Sequence, residues 1–264
     1  MSPVSFIRPP IHIPSNGESL DNSWTLPDIV DFNAKHNPDS LFCYQKRKDG
    51  HETKMFAITH LALRNAVVSC QSWLVENVAG IRRFEEQSGA LSSGRRPIAL
   101  FMESNVGLWV YMLAFLGLDV PVLLLSARLG AIPVKHLLDK TNTRAVVVSP
   151  RLRTVLKNGP EFELSVEATT IYEQRAWEHF LDENGTASER HSIRSMNRSR
   201  VGFNDAIILH SSGTTGLPKP IYHPHQYLLG FAAAHCFDMV DDIPSLNCST
   251  LPLYHVSCDT FFNA

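Results

Sequence analysis

The chain has 264 residues, with 24 Lys and Arg against 26 Asp and Glu, and 44% of it is hydrophobic. A net charge of −2 argues against the basic face that a nucleic-acid binder presents, and the apolar share is enough for one large core or two smaller ones. The five cysteines, Cys43, Cys70, Cys236, Cys248 and Cys258, are scattered and contain no C-x-x-C pair, so they read as reduced thiols of a cytoplasmic protein rather than as a disulfide framework or zinc site.

Residues 1–22 read as an N-terminal extension without the apolar stretch of a secretory signal. A helix is expected over residues 24–37, and another over 59–78, where Leu61, Leu63, Val67, Val68 and Leu74 recur at helical spacing. Residues 85–96, EEQSGALSSGRR, form a loop by composition. PIALFM then reads as a strand and VGLWVYMLAFLGL as a buried helix. The apolar run 107–125 is nearly long enough to span a bilayer, but Asp119 and Pro121 interrupt it. The expectation is therefore a helix, a break and a strand, VPVLLL, with no membrane span. A helix over 132–140 and a strand over 144–148 follow. These strands lack polar alternation, which fits α/β architecture with mainly parallel, helix-covered sheets. The serine- and arginine-rich stretch 182–200 reads as an exposed connector, residues 227–237 as a helix and 249–253 as a strand.

The chemistry concentrates in HSSGTTGLPKP, residues 210–220, which follows the apolar run Ala206-Ile207-Ile208-Leu209. Glycines let backbone N–H groups converge on an anion, hydroxyls add donors, and Lys219 adds a point charge. Two phosphate loops are excluded. A Walker A loop fails because Pro218 stands where its second glycine is required and Pro220 follows Lys219; a G-x-G-x-x-G loop fails because Thr215 stands two places after Gly213.

Ser211-Ser212-Gly213-Thr214-Thr215-Gly216-Leu217-Pro218-Lys219 instead resembles, at all nine positions, the phosphate loop of the adenylate-forming, AMP-binding superfamily. That family includes acyl-CoA synthetases, luciferases and the adenylation domains of nonribosomal peptide synthetases. The resemblance extends upstream through residues 100–150 and downstream to Pro252-Leu253-Tyr254-His255, although Ser257 or Cys258 stands where a glycine is common. The wording GLPKPI is most similar to fungal peptide-synthetase-like, adenylate-forming reductases. Residues 23–264 would then be a partial adenylation domain, incomplete at its C-terminus, with the phosphate loop at 211–219.

The resemblance implies that a carboxylic acid attacks the α-phosphate of ATP to give an acyl-adenylate and pyrophosphate. The loop, with Lys219, would hold the β- and γ-phosphates together with Mg²⁺, Thr214 being the residue at the metal. His255 would orient the carboxylate and contact the α-phosphate region. Coenzyme A or a carrier-bound phosphopantetheine would accept the acyl group. The family's adenine, ribose and C-terminal lysine motifs are not found. Partners are therefore expected to be a missing C-terminal half or carrier and reductase domains, in cis or in trans, with no nucleic acid and no membrane. The alternative is a non-catalytic remnant, or one piece of a split enzyme, acting by nucleotide or partner binding.

The family further implies two helix-covered sheets with the site between subdomains. The second subdomain is expected to begin near the phosphate loop and to leave the helix at 227–237 short of packing partners, making the chain partner-dependent. Two other patterns carry little. His255 and Asp259 fit H-x-x-x-D, but its usual flanking residues are replaced by Tyr254 and Thr260. His223 and His225, with no third ligand near, read as structural or surface histidines.

Overall fold

A computed structural model describes residues 6–10, 24–49, 52–78, 81, 96–157, 169–182, 205–211 and 216–234. The first helix, α1 (Leu26–His36), starts at a reciprocal cap. The Thr25 N–H donates to Asp28 Oδ2 at 2.9 Å, and the Asp28 N–H donates back to Thr25 Oγ1 at 3.4 Å. An antiparallel hairpin follows, β1 (Leu41–Asp49) and β2 (Glu52–Thr59). It has no counterpart among the elements expected from the sequence. Helix α2 (His60–Asn77) begins at Thr59, whose hydroxyl accepts from the Ala62 N–H at 3.2 Å.

The centre of the molecule is a six-stranded sheet. Chain order runs β3 (Ile98–Phe101), α3 (Val106–Gly117), β4 (Val122–Leu125), α4 (Ala131–Lys140), β5 (Ala145–Val148), α5 (Pro150–Lys157), β6 (Thr170–Glu173) and α6 (Trp177–Asp182). Then come β7 (Asp205–His210), β8 (Pro220–Pro224) and α7 (His225–Ala234). Spatial order is β6-β5-β3-β4-β7-β8, parallel except for β8, which runs antiparallel to β7.

The strands are apolar on both faces, and the faces feed different cores. Ile98, Leu100, Val122, Leu124, Val147, Ile207 and Leu209 pack with α1, α2, α3, α6 and α7. Ala99, Phe101, Leu123, Leu125, Val146, Val148 and Ile208 pack with α4 and α5. Helix α3 is buried at all of its residues because it lies between the sheet and the outer helices. Its first two N–H groups are capped by side chains: Val106 N donates to Gln45 Oε1 of the hairpin at 3.1 Å, and Gly107 N donates to Asn105 Oδ1 at 2.8 Å. A Cβ on Gly107 would lie 2.8 Å from Trp177 Cδ1, so the approach of α6 requires glycine there.

The interruption at Asp119 is a helix stop. Asp119 adopts φ +59°, and the N–H groups of Asp119 and Val120 donate to Leu116 O and Phe115 O at 3.0 and 2.9 Å. Asn142 repeats the arrangement after α4, with φ +52° and with Thr143 N donating to Leu138 O at 2.9 Å. Both are Schellman stops in which Asp or Asn takes the left-handed position usual for glycine, and each turns a helix directly into the next strand. Among the described residues no helix is long and apolar enough to cross a membrane.

Two expectations change. The strands on either side of the glycine-rich loop, β7 and β8, belong to the same sheet as β3–β6, so the loop lies within that sheet rather than between two sheets. Helix α7 is not left without partners: Leu228 and Leu229 are buried in the core shared with α1 and the sheet. The physical reason is that β7 extends the parallel ladder beside β4 and the chain returns immediately as β8. The connector beyond residue 182 and the strand at 249–253 lie outside the described residues.

Burial lowers the pKa of His60 and of His225 from 6.5 to about 4, with Asp28 opposing the shift at His225. Both imidazoles are therefore neutral in the folded chain at neutral pH, while the unfolded chain binds protons below 6.5. Their contribution is complete above pH 6.5 and is lost as pH falls toward 4. The loss between pH 6.5 and 5 is expected to be about 2 kcal/mol per site. Thermal melts across that window should show a falling midpoint. A flat profile would mean that these imidazoles are solvated.

Candidate functional site

The parallel strands β3, β4, β5 and β7 end at a common carboxyl edge. From β3 the chain passes to α3 on one face of the sheet, whereas from β4 and β5 it passes to α4 and α5 on the other. A crevice at such a reversal is where open α/β sheets bind ligands. The glycine-rich loop leaves β7 at this edge.

The loop is a hairpin connection closed at its base. His210 pairs with Pro220 across the β7–β8 ladder, and the Ser211 N–H donates to the Lys219 carbonyl at 3.0 Å. That bond occupies the Ser211 N–H, so Ser211 offers a ligand only its hydroxyl. Pro220 lacks an N–H but opens an edge strand, where its donor is least missed. Pro218 is buried and Lys219 is exposed, so the chain tucks inward just before the lysine and presents its side chain outward. Gly216 has φ +140°, a backbone state that L residues rarely adopt.

Of the sequence-predicted site residues, the structure describes Ser211, Gly216 and Lys219, and it pairs Ser211 with Lys219 at the base of this hairpin. Ser212, Gly213, Thr214, Thr215 and His255 lie outside the described residues. His223 and His225 are both buried, consistent with a structural role. The His223 ring stacks on Tyr227 at 4.1 Å, and neither nitrogen of His225 has a hydrogen-bond partner among the described residues. No group of three or more His, Cys, Asp or Glu side chains among the described residues could hold a metal ion.

Two residues that the sequence reading did not single out complete the edge. His210, the last residue of β7, accepts a hydrogen bond at Nε2 from the Ser126 N–H just beyond β4, at 3.1 Å. Burial lowers the His210 pKa, with the Ser211 backbone opposing. Its position between an apolar strand and a glycine-rich turn was the available signal, because a histidine there is set at a strand end rather than on an open surface.

The family model for AMP-binding enzymes matches residues 86–263, more than half of the chain and including the whole hairpin. The chain belongs to the AMP-binding enzyme family. Among curated proteins it is similar to an adenylate-forming reductase of Aspergillus terreus, 37% identical over 88% of this chain and 22% of the relative. It is also similar to the adenylate-forming reductase stbB of Stachybotrys bisbyi, 33% identical over 95% of this chain and 23% of the relative. The chain thus spans about a fifth of the length of these curated relatives. Among solved structures, the N-terminal domain of FACL13 from Mycobacterium tuberculosis shares the fold, with a TM-score of 0.54 at 18% identity over 78% of this chain and 48% of that one.

Among the described residues a Cβ built on Gly216 meets nothing within 4 Å, and its positive φ is what opposes replacement there. Gly216→Ala is expected to lower stability by about 1 kcal/mol. Urea denaturation should show an earlier midpoint with an unchanged slope. An unchanged midpoint would mean that the hairpin relaxes freely at this residue.

Proposed function

We propose that this chain supplies the phosphate-binding part of a site that activates a carboxylic acid with ATP, giving an acyl-adenylate and pyrophosphate. The observation that carries the reading is the closed hairpin at the sheet's carboxyl edge, whose base is fixed by the Ser211–Lys219 bond and which presents the Lys219 side chain outward. Membership of the AMP-binding family supports it.

In the proposed step a carboxylate oxygen forms a bond to the α-phosphorus, the α–β phosphoanhydride bond breaks, and pyrophosphate departs with its electron pair. The acid is already ionised at neutral pH, so no general base is required. The step calls for positioning and charge compensation on the leaving phosphates. Lys219 and the loop hydroxyls provide these, and His255 orients the carboxylate beside the α-phosphate. Mg²⁺ is the proposed counter-ion of the nucleotide phosphates. Thr214 is its proposed contact within the loop. A thiol, on coenzyme A or a carrier's phosphopantetheine, is the proposed acceptor. Carrier or reductase domains are the proposed partners, in keeping with the much greater length of the adenylate-forming relatives.

ATP–pyrophosphate exchange over a panel of aryl, amino and fatty acids tests the reading. A charge-assisted phosphate contact is worth about 1.5–3 kcal/mol, so in a completed enzyme that carries the further domains of the longer relatives Lys219→Ala is expected to reduce exchange at least about ten-fold. Exchange that is unchanged in Lys219→Ala would remove the phosphate-loop assignment. His255→Ala is expected to slow adenylate formation while the KM for ATP stays within about three-fold, because its role is at the acid rather than in uniform ATP binding. A loss confined to ATP binding, with turnover intact, would reassign His255 to nucleotide recognition.

A further inference from the structure

Ser126 is the first residue past β4, and it is buried. Its carbonyl accepts from the Leu129 N–H at 3.0 Å and its hydroxyl accepts from the Arg128 N–H at 3.2 Å. The turn into α4 is therefore folded around Ser126. The ladder between β4 and β7 registers Val122 with Ile207 and Leu123 with Ile208. Past those pairs, the Ser126 N–H would be an orphaned buried donor if the His210 imidazole did not accept from it. His210 is thus a node. Its backbone joins β8 beside the loop-closing Ser211–Lys219 bond, and its side chain joins the end of β4.

We infer that His210 is a positioning residue, whose Nε2 holds the base of the phosphate hairpin at a set place against the β4–α4 turn. The inference rests on the acyl-adenylate reading above. Because the Ser126 N–H is the donor, Nε2 carries no proton and Nδ1 does. Nδ1 is buried, with the Ser211 backbone nearby but no partner in hydrogen-bonding geometry among the described residues. Lys219 shares the base of the hairpin with Ser211, so sideways drift of that base would carry the lysine away from the crevice.

The test combines tautomer and affinity. A long-range ¹H–¹⁵N spectrum of the chain should show His210 protonated at Nδ1 and bare at Nε2. By calorimetry, His210→Leu should weaken Mg·ATP binding about ten-fold, the order expected when a buried donor loses its acceptor. His210→Gln, whose amide oxygen reaches about as far as Nε2, should restore affinity to within about three-fold. Ile208→Val, a core change in the same strand, controls for general destabilisation of β7 and should leave affinity unaltered even where it lowers the melting temperature. A proton on Nε2, wild-type affinity in His210→Leu, or an equal loss in Ile208→Val each overturns the inference. If Lys219→Ala weakens binding while His210→Leu does not, only the positioning role fails. If wild type binds no Mg·ATP, or Lys219→Ala binds as wild type does, the acyl-adenylate reading fails and this inference with it.

Discussion

The strands of the central sheet are apolar on both sides, and each side must be kept from water. Alternate residues of one strand go to opposite cores: Ile98 and Leu100 to the one containing α3, Ala99 and Phe101 to the one containing α4 and α5. Burial of a single large apolar side chain is worth about 1.5–3 kcal/mol, so strands of this kind are stable only under helices on both faces. The crossovers must then divide between the faces. Once they do, the connections leaving β3 and β4 diverge to opposite faces at the carboxyl edge, the same edge from which β7 passes into the glycine-rich hairpin.

Sharp helix stops make this covering possible over short connections. Asp119 and Asn142 each take the left-handed conformation at the end of a crossover helix, and the chain re-enters the sheet within a few residues. Left-handed backbone costs an L residue about 1–2 kcal/mol, less for Asp and Asn, and two recovered carbonyl partners offset it at each stop. At the other end of α3, Gln45 reaches from the hairpin to cap an N–H that the helix itself cannot satisfy. The hairpin is therefore tied to the core helix by a polar contact as well as by packing.

The glycine-rich hairpin between β7 and β8 inherits its setting from these strands. Its base is secured by one backbone hydrogen bond in the plane of β7 and β8, and its sideways placement by one side-chain hydrogen bond to the end of β4. Neither bond uses the lysine side chain or the hydroxyls, so the groups suited to an anion are left for one.

Much of this was legible in the residues. The buried strands were visible as runs of Val, Ile and Leu, α3 as an apolar stretch too interrupted to cross a membrane, and the connection after β7 as a glycine-rich stretch. The hairpin of β1 and β2 escaped notice because Lys46, Arg47 and Lys48 dilute its β-branched pattern. The short β6 did too, since its exposed edge leaves little apolar signal in TIYE. Local chemistry determined the element types, the helix stops and the place of the glycine-rich turn, because these depend on neighbours a few residues apart. Tertiary structure alone decided that β7 and β8 join the first sheet, that α7 finds partners, and that His210 meets Ser126. Those contacts are long-range, His210 and Ser126 alone being 84 positions apart, and a one-dimensional pattern carries no record of which distant strand a given edge will pair with.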